Sequence, residues 1–340
     1  KPEAVMALYC GIDLHSNNHV IVINDENDKT VFEKRIGNDL ALSLDCLEPF
    51  KDEIVGIAVE STFNWYWLVD GLMEHGYTLH LVNTAAVKQY DGLKYSGDVK
   101  DAYHLAHLMR LGILPTGYIY PKEQRMVRDL LRRRMQLVQT ASKQLLCIQN
   151  QIWRSTGVRV GSNQIKKKDF EITLLSGYLK LAADTNLRIY RSLQKEIQLL
   201  EQSVEAAIET PETLDLLQTM VGIGPILGLT ILLETGTVER FENVGNYASY
   251  CRCVQSLRES NGKKKGEGNA KSGNKYLSWA FSQVAHRAVR HEPKVKAFYD
   301  RKYQKRNGIV AIRAVAHKLA RAAYYMLKNN EPFNVNKAFG

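Results

Sequence analysis

Four carboxylates stand where they could act on one substrate. Asp13 ends an apolar run, Gly11-Ile12-Asp13-Leu14-His15, and Glu60 ends another, Ile57-Ala58-Val59-Glu60-Ser61. Acids at the ends of two strands can project from one sheet edge into one cleft. Asp98 and Asp101 are three residues apart at a helix start, hence on one face. Such a set repels itself unless a cation sits within it, and hard oxygen donors favour Mg²⁺ or Mn²⁺ over zinc. The chemistry it serves is phosphodiester cleavage or transfer, in which two metals about 4 Å apart stabilise the attacking and leaving oxygens. Taken singly, Asp98 could be a helix cap and Glu60 a solvated strand end. His104 and His107 follow at helical spacing. Lone helix histidines more often serve packing or the surface, so they stay outside the set.

A second constellation lies near the C-terminus. Val221-Gly222-Ile223-Gly224-Pro225 joins two apolar helical segments, and Gly222 and Gly224 leave amides that can hold a phosphate at a helix start. The pattern resembles a helix-hairpin-helix, a sequence-independent backbone binder. Farther on, Arg258-Glu259-Ser260-Asn261-Gly262 runs into Lys263, Lys264, Lys265, Lys271 and then Gly273-Asn274-Lys275-Tyr276-Leu277. A serine there is a turn residue, a phosphate contact or, most sharply, a nucleophile whose lysine neighbours bind the scissile phosphate.

The elements that must position these groups follow from periodicity. Tyr9 to Leu14, His19 to Asn24 and Thr30 to Ile36 read as three successive strands, followed by a helix near 38–48. Ile54 to Val59 is a buried strand, Phe63 to His75 an aromatic-rich helix and Thr78 to Val82 another strand. A short helix near 84–90 and one from about 98 to 111 complete a mixed α/β sheet covered by helices. From 121 to 155 runs a helix roughly 45 Å long, and a second spans about 172–208. Together they form a coiled-coil-like hairpin with a basic tip, a candidate dimerisation element. Residues 213–330 are mostly helical around a loop from Glu259 to Asn274. The expected division is 1–118, α/β; 119–210, basic helical hairpin; 211–340, all-α.

The 340 residues carry 46 Lys+Arg against 36 Asp+Glu, a net charge of +10, and 45% hydrophobic residues, which excludes a disordered or fibrous chain. The charge is segregated. Residues 1–120 hold −8, 121–168 hold +10, 169–262 hold −6 and 263–321 hold +13. Two basic blocks between acidic ones suit a polyanion, because each cation placed on a phosphate releases counterions. The candidate contacts are Arg125, Arg128, Arg132, Arg133, Arg134, Lys166, Lys167 and Lys168 in the first block, and Lys263, Lys264, Lys265, Lys271 and Lys275 in the second. Neither block has the aromatic-anchored apolar face of a membrane-surface helix. No apolar run approaches the roughly 20 residues of a bilayer span, and no secretion signal opens the chain, so a cytoplasmic, nucleoid-associated protein is expected. Five cysteines without zinc-type spacing support neither a metal knuckle nor a disulfide framework.

These residues resemble the DEDD-type insertion-sequence transposases, a family of bridge-RNA-guided serine recombinases related to Piv-type DNA invertases. At the front the resemblance rests on Gly11-Ile12-Asp13, Val59-Glu60-Ser61 and Asp98-Val99-Lys100-Asp101-Ala102. At the back it rests on Val221-Gly222-Ile223-Gly224-Pro225, Arg240-Phe241, Ser260 and Gly273-Asn274-Lys275-Tyr276-Leu277. It implies a RuvC-like, ribonuclease-H-like N-terminal domain whose metal ligands are Asp13, Glu60, Asp98 and Asp101. It also implies a serine, matching Ser260, that forms a covalent phosphoserine link to DNA. Further implications are a structured non-coding guide RNA, donor and target duplexes, and a homo-oligomer, dimeric or tetrameric, with sites shared between subunits. Asn261 departs from a common glycine, and Ala270 and Ser272 blur the segment before Gly273, which leaves Ser272 as a second candidate nucleophile. Two other readings stand beside this one. A Holliday-junction nuclease would use metal-activated water and need no Ser260. A non-enzymatic scaffold would bind nucleic acid regardless of the acids.

Overall fold

The computed structural model describes residues 6–87, 97–207, 211–254, 258–266 and 272–340. It divides into two compact units, residues 1–122 and 123–340. The first is built on a five-stranded sheet: β1 (Leu8–Leu14), β2 (Asn18–Asn24), β3 (Thr30–Gly37), β4 (Ile54–Glu60) and β5 (Leu79–Val82), in the order β3-β2-β1-β4-β5. The first three strands form an antiparallel meander, while β4 and β5 run parallel to β1. This sheet is ribonuclease-H-like, as expected for a RuvC-like domain.

Strand alternation divides β1 between two layers. Leu8, Cys10, Ile12 and Leu14 join a core with Leu47 of α1 (Leu40–Leu47) and Leu68 and Leu72 of α2 (Tyr66–Glu74). Gly11 and Asp13 point the other way, toward α3 (Asp98–Arg110). On that face Val20 and Val22 pack on Ala102, and Ala58 and Val82 on Leu105. Gly11 permits the approach: a β-carbon there would stand 2.0 Å from the Ala102 carbonyl oxygen, so any larger residue would push α3 off the strand.

Among the described residues the second unit has three buried apolar clusters, two of them large. α4 (Lys122–Thr156), α5 (Ser162–Ile165) and α6 (Gly177–Ala206) form the hairpin. Leu145, Ile148 and Ile152 of α4 pack with Ala183, Leu187 and Tyr190 of α6, and Arg134–Glu201 and Gln151–Asn186 contacts establish an antiparallel pair. The predicted second helix began near 172, but α6 starts five residues later. Ile172 and Leu175 are instead buried beneath the tip with Ile165, so their apolar spacing belongs to an irregular plug. Lys166, Lys167 and Lys168 are exposed there.

The C-terminal helices are α7 (Pro211–Gln218), α8 (Pro225–Thr235), α9 (Val244–Tyr250), α10 (Lys275–His291), α11 (Pro293–Lys305), α12 (Gly308–Asn329) and α13 (Val335–Phe339). Their core centres on Tyr247, Phe281, Val284, Leu319 and Tyr324. The segment predicted as a plain loop contains a hairpin of β6 (Arg258–Ser260) and β7 (Lys263–Gly266). The helix predicted from Phe63 begins at Tyr66, because Asn64 turns back to donate to the His15 carbonyl and leaves Phe63 exposed.

Candidate active site

Asp13 and Glu60 meet because β1 and β4 are parallel and in register, with Ile12 beside Val59 one step earlier. Asp13 is only 2% exposed. Burial, and then a hydrogen-bonded contact with Glu60, push its carboxyl up to about 7. The nearby negative charge of Asp101 acts in the same direction, and His15 opposes it. Two touching carboxylates must share a proton or enclose a cation.

α3 brings the other two acids in its first turn, where the positive end of the helix dipole favours negative charge. Asp101 lines a cavity of about 360 Å³ together with Asp13, His15, Glu60, His104 and Leu105. Asp98 does not line it. Its carboxylate stands 3.3 Å from His15 Nε2 and 2.5 Å from an Arg35 guanidinium nitrogen. The Arg35 hydrogen bond holds the Asp98 carboxyl below the usual carboxylate range.

His15 links the two ends of this arrangement. Its Nε2 is 3.1 Å from Asp13 Oδ2, and Asp13, His15 and Asp98 each offer a ligand atom within 4.8 Å of the others. Sequence reasoning missed it. The signal was the two-residue spacing from Asp13, which puts both side chains on the same side of an extended chain. His104, set aside in the sequence, does line the cavity, and burial lowers its pKa, as does His107. His107 is committed elsewhere: with Arg110 it binds Asp28, clasping α3 to the β2–β3 turn.

The set suits a divalent ion. Asp13 Oδ2 is buried without a well-aligned hydrogen bond, its polar neighbour being His15 Nε2 at 3.1 Å, and a cation would satisfy the oxygen. The surrounding donors are hard carboxylate oxygens with two imidazoles, His15 and His104.

Ser260 closes β6, exposed, and is paired across a two-residue turn with Lys263. Asn261 and Gly262 both have positive φ, 53° and 68°, the backbone of the tightest hairpin turns. The asparagine that departs from the usual glycine therefore occupies a left-handed position it tolerates well. Lys263 and Lys265 are exposed beside the serine, and Lys264 faces Glu259 in the backbone register. Ser272 and Lys275 are exposed, and Lys271 lies outside the described residues.

Several basic residues proposed as phosphate contacts have other duties. Arg125 and Arg128 are buried, 2% and 4% exposed. Arg132 grips the buried Glu234 through two nitrogens, at 2.5 and 2.7 Å, and lies over the Tyr276 ring. Arg134 pairs with Glu201. Desolvation makes a buried acid demand a cation, and the first basic block supplies it. Arg133 remains exposed on the helix. Gly222, with φ +100°, presses its backbone on α10, where a β-carbon would stand 2.9 Å from the Val284 carbonyl oxygen; Gly224 is open and caps α8. Asn274 is buried, caps α10 and donates to Glu234 at 2.7 Å.

Comparison with protein families bears on both units. Residues 10–152 match a transposase family of the DEDD-type IS110 group, and residues 214–300 match the transposase IS116/IS110/IS902 family. The two matches take in more than half of the chain and contain both constellations. The chain belongs to the IS110 family of transposases. No curated protein matches it.

As an IS110-family transposase it is a DNA transposase or recombinase, with DNA as substrate and divalent metal use implied by its DEDD domain. The aligned span includes Asp13, Glu60, Asp98 and Asp101 on one side and Ser260 and Asn274 on the other. Among the transposase's described residues, no helix is long and apolar enough to cross a membrane.

Proposed function

We propose that this transposase moves its own element by cutting and rejoining DNA with two pieces of machinery, a serine nucleophile and a Mg²⁺- or Mn²⁺-loaded acidic site. Asp13, Glu60 and Asp101 would hold the metal, with Asp98 and His15 at its edge. The reading is carried by the burial of Asp13 against a second carboxylate, Glu60, with its carboxyl pushed up to about 7. Bound metal would stabilise charge on the reacting phosphate oxygens. The acids hold that charge in place, and Arg35 and His15 fix Asp98.

Ser260 Oγ attacks phosphorus, loses its proton to a base, and forms a phosphoserine ester as the P–O bond to the leaving strand breaks. A new strand end reverses the step. Lys263 and Lys265, exposed on the same hairpin, bind the phosphate. Sequence choice is assigned to a structured guide RNA through base pairing, as in other guided enzymes, and the acids and the serine of one site to different subunits of an oligomer.

Incubation with element-end DNA and Mg²⁺ should yield a denaturation-resistant protein–DNA adduct that Ser260→Ala abolishes. An adduct surviving Ser260→Ala but lost in Ser272→Ala moves the role to Ser272. Strand cleavage with no adduct favours the water-activating nuclease. Sequencing copurified RNA tests guidance: a single structured species supports it, and random cellular RNA opposes it.

A further inference from the structure

Outside the acidic site, a second cavity lies at the end of α12, where the chain turns into α13. It has a volume of about 530 Å³, within the range of sites that take a small ligand. Its walls combine three kinds of group. Tyr325, which is 47% exposed, and Phe333 supply aromatic surface. Asn329 supplies an amide. Arg321 and Lys318 supply positive charge.

That charge is not neutralised locally. Glu331, the one acid in the wall, is taken up by Lys337 at 3.2 Å. Lys318 donates to the neutral Ala338 carbonyl and lies over the Phe298 and Phe339 rings. Among the described residues no carboxylate pairs with Lys318 or Arg321. His317 registers the resulting field: burial lowers its pKa, and Arg321 and Lys318 lower it further. A flat exposed ring, an adjacent unpaired guanidinium and a free amide in one concavity are what an extrahelical nucleotide requires: a face for the base, donors for its edge, a cation for its phosphate.

We propose that this cavity binds one unpaired nucleotide of a nucleic-acid strand, its base on Tyr325 and its phosphate on Arg321. A nucleotide already flipped from a duplex, or unpaired in a folded RNA, would enter without further unstacking cost. The site rests on the reading that the protein works on nucleic acid, but it is separate from the acidic site and from Ser260, both of which could function without it.

The full chain should be titrated with an oligouridine octamer, an oligothymidine octamer and a duplex of random sequence. The expected result is that Tyr325→Ala and Arg321→Gln each weaken single-strand binding by about tenfold, that Tyr325→Phe restores it, and that duplex affinity changes less than about twofold. A 4-thiouridine or 4-thiothymidine probe should crosslink to the peptides holding Tyr325 and Phe333. A preference between the two octamers tells RNA from DNA as the source. Tyr325 is half-exposed and meets the Tyr324 ring edge-on, 5.4 Å between centroids, so the melting temperature of each variant is measured to separate loss of the site from loss of packing. Single-strand binding indifferent to Tyr325→Ala, or crosslinks only elsewhere, overturns the proposal while duplex binding persists. Failure of the parent protein to bind any of the three overturns the nucleic-acid reading with it.

Discussion

Asp13 is buried, where an ionised carboxylate is costly, and it faces Glu60 and Asp101, whose negative charges add to that cost. Its folded pKa, pushed up from 3.8 to about 7, lies above the unfolded value. The associated stability is therefore full below the unfolded value and is lost as pH rises to about 7. A divalent ion binds the ionised form and reverses that loss. Mg²⁺ or Mn²⁺ should thus raise the melting temperature more at about pH 8 than at about pH 5, and an equal rise at both would contradict the assignment. Asp13→Asn should abolish strand transfer at both values while nucleic-acid affinity stays within about twofold, since the acid contributes to metal and not to phosphate contact. Full transfer activity in Asp13→Asn would remove it from the site.

Among the elements, α3 is positioned by close backbone contact. Gly11 lets it lie on β1, and the Asp28 clasp with His107 and Arg110 holds its far end. Gly11→Ala should lower stability by about 1–3 kcal/mol, the usual cost of overpacking, and reduce strand transfer by more than that loss explains, because Asp101 moves with the helix. Denaturant titration beside transfer assays decides this: unaltered activity would mean the acids tolerate a displaced α3. In the second unit, Arg132 of α4, Glu234 of α8 and Asn274 of α10 form one buried polar cluster. Arg132→Gln strands the Glu234 charge and should cost about 3 kcal/mol. Arg132→Gln with Glu234→Gln should recover much of it in a double-mutant cycle, and no recovery would mean the pair does not interact as described.

At the scale of the whole molecule, exposed cations among the described residues include Lys166 to Lys168 at the hairpin tip and Lys263 and Lys265 on the serine hairpin. Replacing all three tip lysines by Ala should reduce the slope of log affinity against log salt for duplex DNA by about 3, at 0.9 per phosphate contact. Arg133→Ala should lower it by about 1. An unchanged slope in the triple variant would place the DNA away from the tip.

The strands of the first unit and the long hairpin were legible in the sequence, because each rests on local periodicity: two along a strand, 3.6 along a helix. The same periodicity failed at 172–176, where apolar spacing served a plug instead of a helix, and could not show the β6–β7 hairpin within a polar segment. Only the tertiary structure decided which cations are available and which acids share a cavity. A run of arginines has the same composition whether it faces a phosphate or, like Arg132 and Arg134, a glutamate more than 60 positions away. His15 reaches both Asp13 and Asp98, and Asp98 lies outside the cavity lined by Asp13, Glu60 and Asp101, through contacts set by the packing of α3 on the sheet. Spacing along the chain determines which face a residue occupies; what it meets there depends on the three-dimensional packing of distant segments.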